Sequence, residues 1–555
     1  MYFTLAVSAG TALQCTALVE RALATDPRVM PVPGPAAVRW RSPDGRVALL
    51  HWGPEAGALA GGTTGSRAGG AGLAGGGRPS SRAGTIWVDP SDGLGAPVRA
   101  RTSMARIDPV YVADGPDAVL LSDRAMWVAY VAGRLADHEP MHSSALVAGP
   151  GYPLGMVTPF AGVYALEGAS VGEVLALRLQ VWPAGREPEA WEPAGGGGAA
   201  RVAAALVAAV EPLRASPEPV EVSLTGGRGS RMVLAALTAA GVPVRVGTHG
   251  FPTHPDVAVA ARVAGRLGLE HVVRTPVGPD EKTDVVTRIR ASVLVADGML
   301  PAFENVGRPD PAPGPLVTAV GHGGELLRGG YAQAAGGGAD LGSVGPARRA
   351  ARAAEVLRRL TTRHVALLRP GVATRYLASL TPWSTAALAH GPVQALDDFY
   401  LANRAGRWAA AARQAFLLRG DLVQPLLGDD VVRAVRSVPL ADRIARDLPE
   451  AVVSELCPEL AGVPYAGKPA KGAAPEAFDW RRQYGDQVAR FLRDYTLDLG
   501  ATSSLFDVIS QSSAERALAL PHDDRGTVWA LATMACLASG DFRNARDEAP
   551  VLSVS

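Results

Sequence analysis

The stretch from Pro219 to Gly241, PVEVSLTGGRGSRMVLAALTAAG, decides the fold because it joins a short strand to a helix through a glycine-rich turn. The β-branched and apolar residues of Val220–Leu224 predict the strand. Apolar residues recur at helical spacing from Met232, and the final glycine ends the helix. The N–H groups of such a turn point at one place, at the positive end of the helix, where phosphate and other anions bind. A glycine turn that serves only packing explains the stretch equally well.

Strand and helix patterns alternate downstream of this turn. Pro243–Thr248 and Glu270–Arg274 have the composition of strands, and Asp256–Leu267 between them has the spacing of an amphipathic helix. Leu316–Val320 is a later apolar run of strand length. The alternation predicts an α/β fold with a doubly wound parallel sheet, and ligands of such sheets bind at the carboxyl ends of the strands.

The composition excludes several classes of protein. The chain has 555 residues, of which 48% are hydrophobic, so we expect a globular protein of two or three domains. A formal net charge of +1 gives no reason to expect binding to nucleic acid or to an acidic membrane. No apolar run reaches the ~18 residues of a membrane span, and the start lacks a basic signal segment, so we expect a cytoplasmic protein. The cysteines, Cys15, Cys457 and Cys536, form no C-x-x-C, so neither a zinc site nor a disulfide framework is expected.

Two domains are predicted, at residues 1–195 and 200–545. The first begins with a strand pattern at Tyr2–Val7 and has α+β character. Within it, Gly57–Gly77 contains almost no large apolar side chain and is predicted to be a loop or linker. The glycine-rich run Glu192–Gly198 predicts the linker between the two domains.

The glycine turn resembles the pyrophosphate-binding loop of the asparagine synthetase superfamily, which is written S-G-G-x-D-S. Here Thr225 stands at the first Ser, and Gly229 stands where the family has an Asp that helps to position magnesium. The resemblance implies that ATP binds at this loop, with Mg²⁺ as its partner. It assigns the contacts with ATP to Thr225, Gly226, Gly227, Arg228 and Ser230.

A second match follows the loop at the spacing that the family has. The pattern T-x-G…D-x-x-x-A-x-x-x-A-x-x-L-G-L-x-H, which the family also has, runs here from Thr248 to His271. In the family, the strand after the loop helps to hold adenine and ribose, which makes Thr248, His249 and Gly250 candidates for ATP binding. The alternatives are that Thr248 is an ordinary strand end and that His271 is a packed core histidine.

The run GHGGELLRGGY, Gly321–Tyr331, resembles the second signature of the family, G-x-G-x-D-E-x-x-G-G-Y. Gly323 matches and is implied to lie at the cofactor. Glu325 falls on the Asp that helps to hold magnesium, and a carboxylate is the ligand that Mg²⁺ prefers. His322 occupies a position that varies with the reaction, where a neutral imidazole could act as base for an incoming amine. The alternative is that His322 orients the backbone or contacts a phosphate.

The family also carries a late loop with a catalytic lysine, which stabilises negative charge on the acyl-adenylate transition state and on pyrophosphate. Lysine occurs only three times in this Arg-, Ala- and Gly-rich chain, a bias that indicates a high-GC bacterial genome. Lys468 and Lys471 lie in the region of that loop. We assign the role to Lys468 ahead of Lys471, and solvated loop lysines are the alternative.

The N-terminal half resembles the glutaminase-like, Ntn-type domain of asparagine synthetases, through LSDRA at Leu121–Ala125 and VTPFAGVYAL at Val157–Leu166. Glutaminase activity requires a Cys directly after the initiator Met, as the nucleophile. That position is Tyr2 here, so we predict no glutamine hydrolysis. Structural support or substrate docking is then the expected role of this half.

The resemblance implies a ligase that forms C–N bonds, as lasso peptide cyclases and β-lactam synthetases do. A carboxylate would be adenylated by ATP and captured by an amine, in bacterial natural-product biosynthesis. The substrate would be a small molecule or peptide with a carboxylate and an amine, and a pathway partner protein is possible. Because Gly229 removes a magnesium ligand, two alternatives stay open. One is an ATP-independent catalyst that reuses the pocket, and the other is a non-catalytic homologue that acts as a partner or scaffold.

Overall fold

A computed structural model describes residues 3–24, 36–52, 86–88, 97–184, 197–275, 282–304, 316–334, 345–389, 391–416, 420–445, 447–467, 485–519 and 525–547. Within these residues the chain is a mixed α/β protein with two antiparallel sheets and one parallel sheet, which confirms the predicted α/β class and the parallel sheet. Tyr2, the glycine-rich stretch Gly57–Gly77 and most of the predicted linker lie outside the described residues.

The strands are numbered along the chain. They are β1 (Phe3–Ala9), β2 (Ala36–Arg41), β3 (Val47–Trp52), β4 (Ile86–Val88), β5 (Val98–Arg101), β6 (Tyr111–Asp114), β7 (Ala118–Ser122), β8 (Tyr164–Ala165), β9 (Ser170–Leu175), β10 (Arg178–Pro183), β11 (Val220–Ser223), β12 (Val244–His249), β13 (His271–Arg274), β14 (Leu316–Val320) and β15 (Gly420–Val423).

The helices are numbered in the same way, and the π-helical segment Tyr400–Ala409 lies between α12 and α13. They are α1 (Ala12–Leu23), α2 (Ala125–Val131), α3 (Pro140–Ala148), α4 (Gly198–Val210), α5 (Arg228–Ala239), α6 (Pro255–Arg266), α7 (Lys282–Val295), α8 (Gly330–Ala334), α9 (Pro346–Thr361), α10 (Pro370–Ser379), α11 (Thr381–Ala389), α12 (Pro392–Phe399), α13 (Ala410–Phe416), α14 (Asp429–Arg436), α15 (Leu440–Ala445), α16 (Leu448–Leu456), α17 (Asp486–Ala501), α18 (Leu505–Val508), α19 (Gln511–Ala519) and α20 (Arg525–Ser539).

Two antiparallel sheets form the N-terminal half. The six-stranded sheet has the order β2-β3-β1-β7-β6-β8, and the four-stranded sheet has the order β10-β9-β5-β4. Alternate residues of their strands meet in one buried apolar cluster, which includes Ala6, Leu49, Val98 and Val174. Since side chains alternate across a strand, this cluster places the two sheets face to face.

The opposite face of the six-stranded sheet belongs to the largest core of the molecule. This core joins Leu5 of β1 and Trp127 of α2 to Ile289 of α7 and Trp529 of α20. Helix α3 packs directly against α20. The predicted boundary near residue 195 therefore separates the sheets, but the hydrophobic core continues across it.

A buried ion pair lies in the same region. The guanidinium of Arg124, just before α2, meets the carboxylate of Asp297, just after α7, with 2.5 Å between Nη2 and Oδ1. Both side chains are fully buried. Asp297 also accepts a hydrogen bond from the N–H of Ala125 at 2.9 Å. Burial of both charges is tolerated because each satisfies the other.

The parallel sheet of the C-terminal half has the order β13-β12-β11-β14-β15. Val220 and Val222 of the central strand β11 pack into a core with α4, α5 and α16. The strand order reverses at β11, because β12 lies on one side of it and β14 on the other. Such a reversal leaves a crevice at the carboxyl ends of the strands. The loops that follow β11 and β14 meet there.

Two further findings concern the cysteines and the length of the helices. Cys15, Cys457 and Cys536 are buried free thiols. No helix in the described part of the chain has both the length and the apolar character that crossing a membrane requires.

Candidate functional site

The glycine turn lies where the sequence predicts it. It follows the central strand β11 and ends at Gly227, the N-cap of α5, so strand, turn and helix succeed one another at the crevice. Thr225, Gly226, Gly227, Arg228 and Ser230 are thereby brought together. This is the position in a parallel sheet where an anion would meet free N–H groups.

Side chains of the protein already accept hydrogen bonds from the turn. The N–H of Gly226 donates to Oδ1 of Asp256 at 3.0 Å. The N–H of Gly227 donates to Oγ1 of Thr225 at 3.1 Å, and the N–H of Thr225 donates to Oγ of Ser230 at 3.1 Å. One of these acceptors is a carboxylate, so a negative charge of the chain itself stands at the turn where a phosphate would bind.

Glycines of the two loops are in backbone contact. A Cβ on Gly229 would overlap the carbonyl oxygen of Gly321 and lie 3.3 Å from its carbonyl carbon. A Cβ on Gly324 would lie 2.8 Å from Cα of Gly229. Real Cβ atoms essentially never come within 3.0 Å of such atoms. The loop after β14 therefore fills the space that a magnesium-binding Asp at position 229 would need.

The segment 463–467 covers the glycine turn from the other side. The N–H of Ala466 donates to the carbonyl oxygen of Gly226 at 3.0 Å. The guanidinium of Arg231, which is fully buried, donates to the carbonyl oxygen of Pro464 at 2.9 Å. Backbone of this segment thus stands against the turn and holds it from outside.

The arginines next to the turn are also engaged within the protein. The ring of Tyr465 lies between two guanidiniums, with its centroid 4.3 Å from Cζ of Arg228 and 3.8 Å from Cζ of Arg231. Arg228 forms an ion pair with Asp447 at 2.9 Å, and the Tyr465 hydroxyl donates to Glu450. The hydrogen bond with Asp447 raises the pKa of Arg228. Neither arginine is poised for a phosphate in this arrangement.

Lys468 and Lys471 lie outside the described residues. The described chain reaches Gly467, directly after the residue that contacts the glycine turn, and resumes at Gly485. The role assigned to the two lysines stays a prediction.

Thr248 and Gly250, the predicted adenine and ribose contacts, lie at the end of β12. Thr248 is fully buried, and its Oγ1 donates to the carbonyl oxygen of Leu224 at 2.9 Å. Since the hydroxyl proton is used there, Nε2 of His271 must be the donor in its 2.9 Å hydrogen bond with the same oxygen. Burial lowers the pKa of His271. These bonds fit the interpretation of Thr248 as a strand end. The N–H of Gly250 donates to the carbonyl oxygen of Arg274 at 3.0 Å.

Gly323 of the second loop has a structural reason to be glycine. Its φ is +98°, a conformation that other residues rarely adopt, and a Cβ would lie 2.7 Å from the side chain of Leu427. Gly323 is buried. Close packing accounts for this residue without a nucleotide.

His322 is neutral, and its tautomer follows from its neighbour. Nε2 of Gln424 donates to the carbonyl oxygen of Ala409 at 3.1 Å, which identifies this atom as the amide nitrogen. The same nitrogen lies 2.9 Å from Nδ1 of His322, so Nδ1 accepts and the proton is on Nε2. Burial, helped by the charge of Arg404, lowers the pKa of His322 to about 4. The unprotonated nitrogen is thus already bonded, which favours an orienting or donating role over that of a base.

A cavity of about 230 Å³ opens beside the second loop. At its wall the hydroxyl of Tyr400 donates to Oε2 of Glu325 at 2.8 Å. The rings of Tyr400 and Tyr331 meet edge to face, with 5.6 Å between their centroids. The cavity is lined by Glu325, Arg328, Gly330, Tyr331, Gln333, Tyr400 and Arg404.

The π-helical segment Tyr400–Ala409 supplies one wall of this cavity. Tyr400, Arg404 and Trp408 follow one another at intervals of four residues in this segment, and Cζ of Arg404 lies 3.5 Å from the centroid of the Trp408 ring. Trp408 in turn meets His322 edge to face at 5.1 Å. π-Helices are rare and are frequently found at functional sites. Sequence reasoning missed this wall, although the aromatic and arginine residues of the segment were visible at helical spacing.

The described residues do not fit the magnesium site that the family resemblance implies. No group of three or more His, Cys, Asp or Glu side chains is arranged for a metal ion in the described part of the chain. Glu325 faces Tyr400, and the second carboxylate position, Gly229, is closed by Gly321. Mg²⁺ in nucleotide sites requires one or two carboxylates together with phosphate oxygens.

The fold and the site define a mixed α/β protein with a glycine turn at the centre of a five-stranded parallel sheet and a charged cavity beside it. Comparison of the chain with protein-family models gave no match, and comparison with curated proteins gave none.

Proposed function

We propose that the chain is an asparagine-synthetase-like protein that no longer uses Mg·ATP and that binds a carboxylate-bearing substrate in the cavity beside Glu325. In this proposal, residues 1–195 are a glutaminase-like domain without its nucleophile and residues 200–545 are a remodelled synthetase domain. The face-to-face antiparallel sheets and the glycine turn on the central parallel strand support the relationship.

One contact supports the loss of Mg·ATP above all others. A Cβ at position 229 would overlap the carbonyl oxygen of Gly321. The chain therefore lacks the carboxylate and also the space for it. Metal charge is a main source of stabilisation in phosphoryl transfer, so its absence removes the basis of adenylation.

The loss of ATP limits the chemistry that remains. A free carboxylate and an amine do not condense in water without activation, so a chain without ATP does not make an amide from a free acid. The polar groups of the cavity can still bind and orient a small molecule or peptide. The protein then acts on a substrate that arrives activated, or serves as the binding partner of an active enzyme of its pathway.

A second candidate is the ATP-dependent amide synthetase. It is favoured by the position of segment 463–467, which touches the glycine turn directly before the predicted catalytic lysines. If this segment swung away, the turn would lose its cover and Tyr465 would release Arg228 and Arg231. The same residues would then face a phosphate together.

Calorimetric titration of Mg·ATP into the purified protein separates the two candidates. We expect no binding at millimolar nucleotide for the wild type. Tyr465→Ala, which removes the ring between the two arginines, is the informative variant, and Arg358→Gln on the exposed face of α9 is the control. Binding by the wild type, with pyrophosphate released on addition of a carboxylic acid, overturns our proposal in favour of the synthetase. Gly229→Asp is not a restoring variant here, because its side chain would meet Gly321.

A further inference from the structure

We infer that the cavity beside Glu325 captures the C-terminal carboxylate of a peptide, with Arg328 and Arg404 as the binding pair. This inference rests on the proposed use of the cavity as a substrate site. It specifies which end of the substrate the cavity would bind. It depends on charges that no carboxylate of the described residues pairs, on the division between the inside and the mouth of the cavity, and on the size of the cavity.

Two guanidiniums in the cavity have no carboxylate partner among the described residues. Nε of Arg328 is buried and has no hydrogen-bond partner there. Arg404 is held by the face of the Trp408 ring, which fixes its plane without neutralising its charge. By contrast, Arg228 and Arg124 are both paired with carboxylates. Planar guanidiniums bind carboxylates through parallel N–H donors, so an unpaired pair in a cavity favours this anion.

The inside and the mouth of the cavity offer different groups. Tyr331, Tyr400 and the two arginines are buried or half-buried, whereas Glu325 and Gln333 are exposed. Oε2 of Glu325 accepts a hydrogen bond from the Tyr400 hydroxyl, whereas Oε1 has no hydrogen bond within the described residues. A carboxylate would therefore bind inside the cavity, at the two arginines. The part of the ligand attached to it would pass the carboxylate of Glu325 and the side-chain amide of Gln333 at the mouth.

A peptide bond matches this mouth better than an ammonium does. Its N–H can donate to Glu325, and its carbonyl oxygen can accept from the side-chain amide of Gln333. An ammonium on the exposed Glu325 would gain little, because exposed ion pairs are screened by water. The cavity volume of about 230 Å³ lies below the ~300 Å³ of the smallest usual ligand pockets. The cavity therefore accommodates one terminal residue, and the rest of a peptide would lie outside it.

The binding test uses N-acetyl-Gly-Phe and N-acetyl-Gly-Ala, each as the free acid and as the C-terminal amide, titrated without nucleotide or magnesium. We expect at least one free acid to bind at least ~10-fold more tightly than its amide, as a charge-assisted hydrogen bond predicts. Arg328→Gln and Arg404→Lys should each reduce the ratio between acid and amide towards one. Arg358→Gln is the matched control, because its guanidinium pairs with Glu355 at 2.8 Å on the surface.

Four results would overturn the inference, and the first three concern selectivity. They are equal binding of acid and amide, an unchanged ratio in Arg328→Gln when its unfolding midpoint matches the wild type, and binding of free phenylalanine or alanine without binding of the acetylated peptides. Absence of all peptide binding also overturns it. Because no nucleotide is present, the outcome is independent of the Mg·ATP titration, so binding of both ligands would refute the proposed loss of ATP and leave the peptide site standing.

Discussion

The contact between the two glycine loops predicts a strong asymmetry between two glycine-to-alanine substitutions in helices. Gly229 lies in the first turn of α5, and an alanine there would press its Cβ into the backbone of Gly321. Gly265 lies near the end of α6, and a Cβ there would meet nothing within 4 Å. Both positions are helical, so the preference of a helix for alanine over glycine applies to both.

The magnitudes have opposite signs. Gly265→Ala should stabilise the protein by up to about 1 kcal/mol, since it gains helix propensity without a clash. Gly229→Ala has the same propensity gain, but overpacking against backbone costs about 1–3 kcal/mol, because a backbone carbonyl cannot rotate away as a side chain can. The net effect at Gly229 is therefore a loss of stability.

Urea unfolding of the wild type and the two variants, followed by tryptophan fluorescence under identical conditions, measures the difference. The midpoint should rise for Gly265→Ala and fall for Gly229→Ala. A rise for both variants would refute the reasoning, since it would mean that the loops are not in contact and that position 229 has room for a side chain. A magnesium-binding side chain at position 229 would then be sterically possible.

Three further results are expected. Asp297→Ala should lower the free energy of urea unfolding by about 3–5 kcal/mol, because it leaves the buried charge of Arg124 without its partner. Adding Arg124→Met should recover part of this loss. Additive losses in the double variant would contradict the pairing. His322 has a folded-state pKa of about 4, below its ordinary ~6.5, so the unfolded state takes up its proton first and stability falls as the pH drops from ~6.5 towards 4. His322→Asn should remove up to about 3 kcal/mol of that fall in stability. If the variant and the wild type lost stability with pH in the same way, His322 would not be the neutral ring described above. Ellman's reagent should find no fast-reacting thiol in the native protein and all three in denaturant, since burial raises the pKa of Cys536 to about 12; a fast native thiol would contradict this burial.

The parallel sheet could be predicted because its signals are local. The run Leu316–Val320 coincides with β14, and the predicted strand Pro243–Thr248 differs from β12 by one residue at each end. β-branched runs and glycine turns act over a few neighbouring residues, so the sequence pattern contains them. The position of the turn at the crevice then follows from the strand order.

The state of the site could not be predicted in the same way. Gly229 and Gly321 are distant in sequence, and their contact depends on how two loops meet at the edge of the sheet. The cavity wall depends on how the π-helical segment meets the second loop, with Tyr400 at Glu325 and Trp408 at His322. The signals for this wall were therefore present as residue types but not as geometry.

The shared core of the two halves has a consequence for how the chain is made. Leu5, Trp127 and the helix α3 emerge from the ribosome long before α20, which contributes to the same core and packs against α3. Until Arg525–Ser539 has been synthesised, the side of α3 that packs against α20 stays open to water and to other chains. Contacts so distant in sequence close slowly, and open apolar surfaces aggregate. We therefore expect the N-terminal half alone, which lacks α20, to expose part of this core and to be a substrate for chaperones.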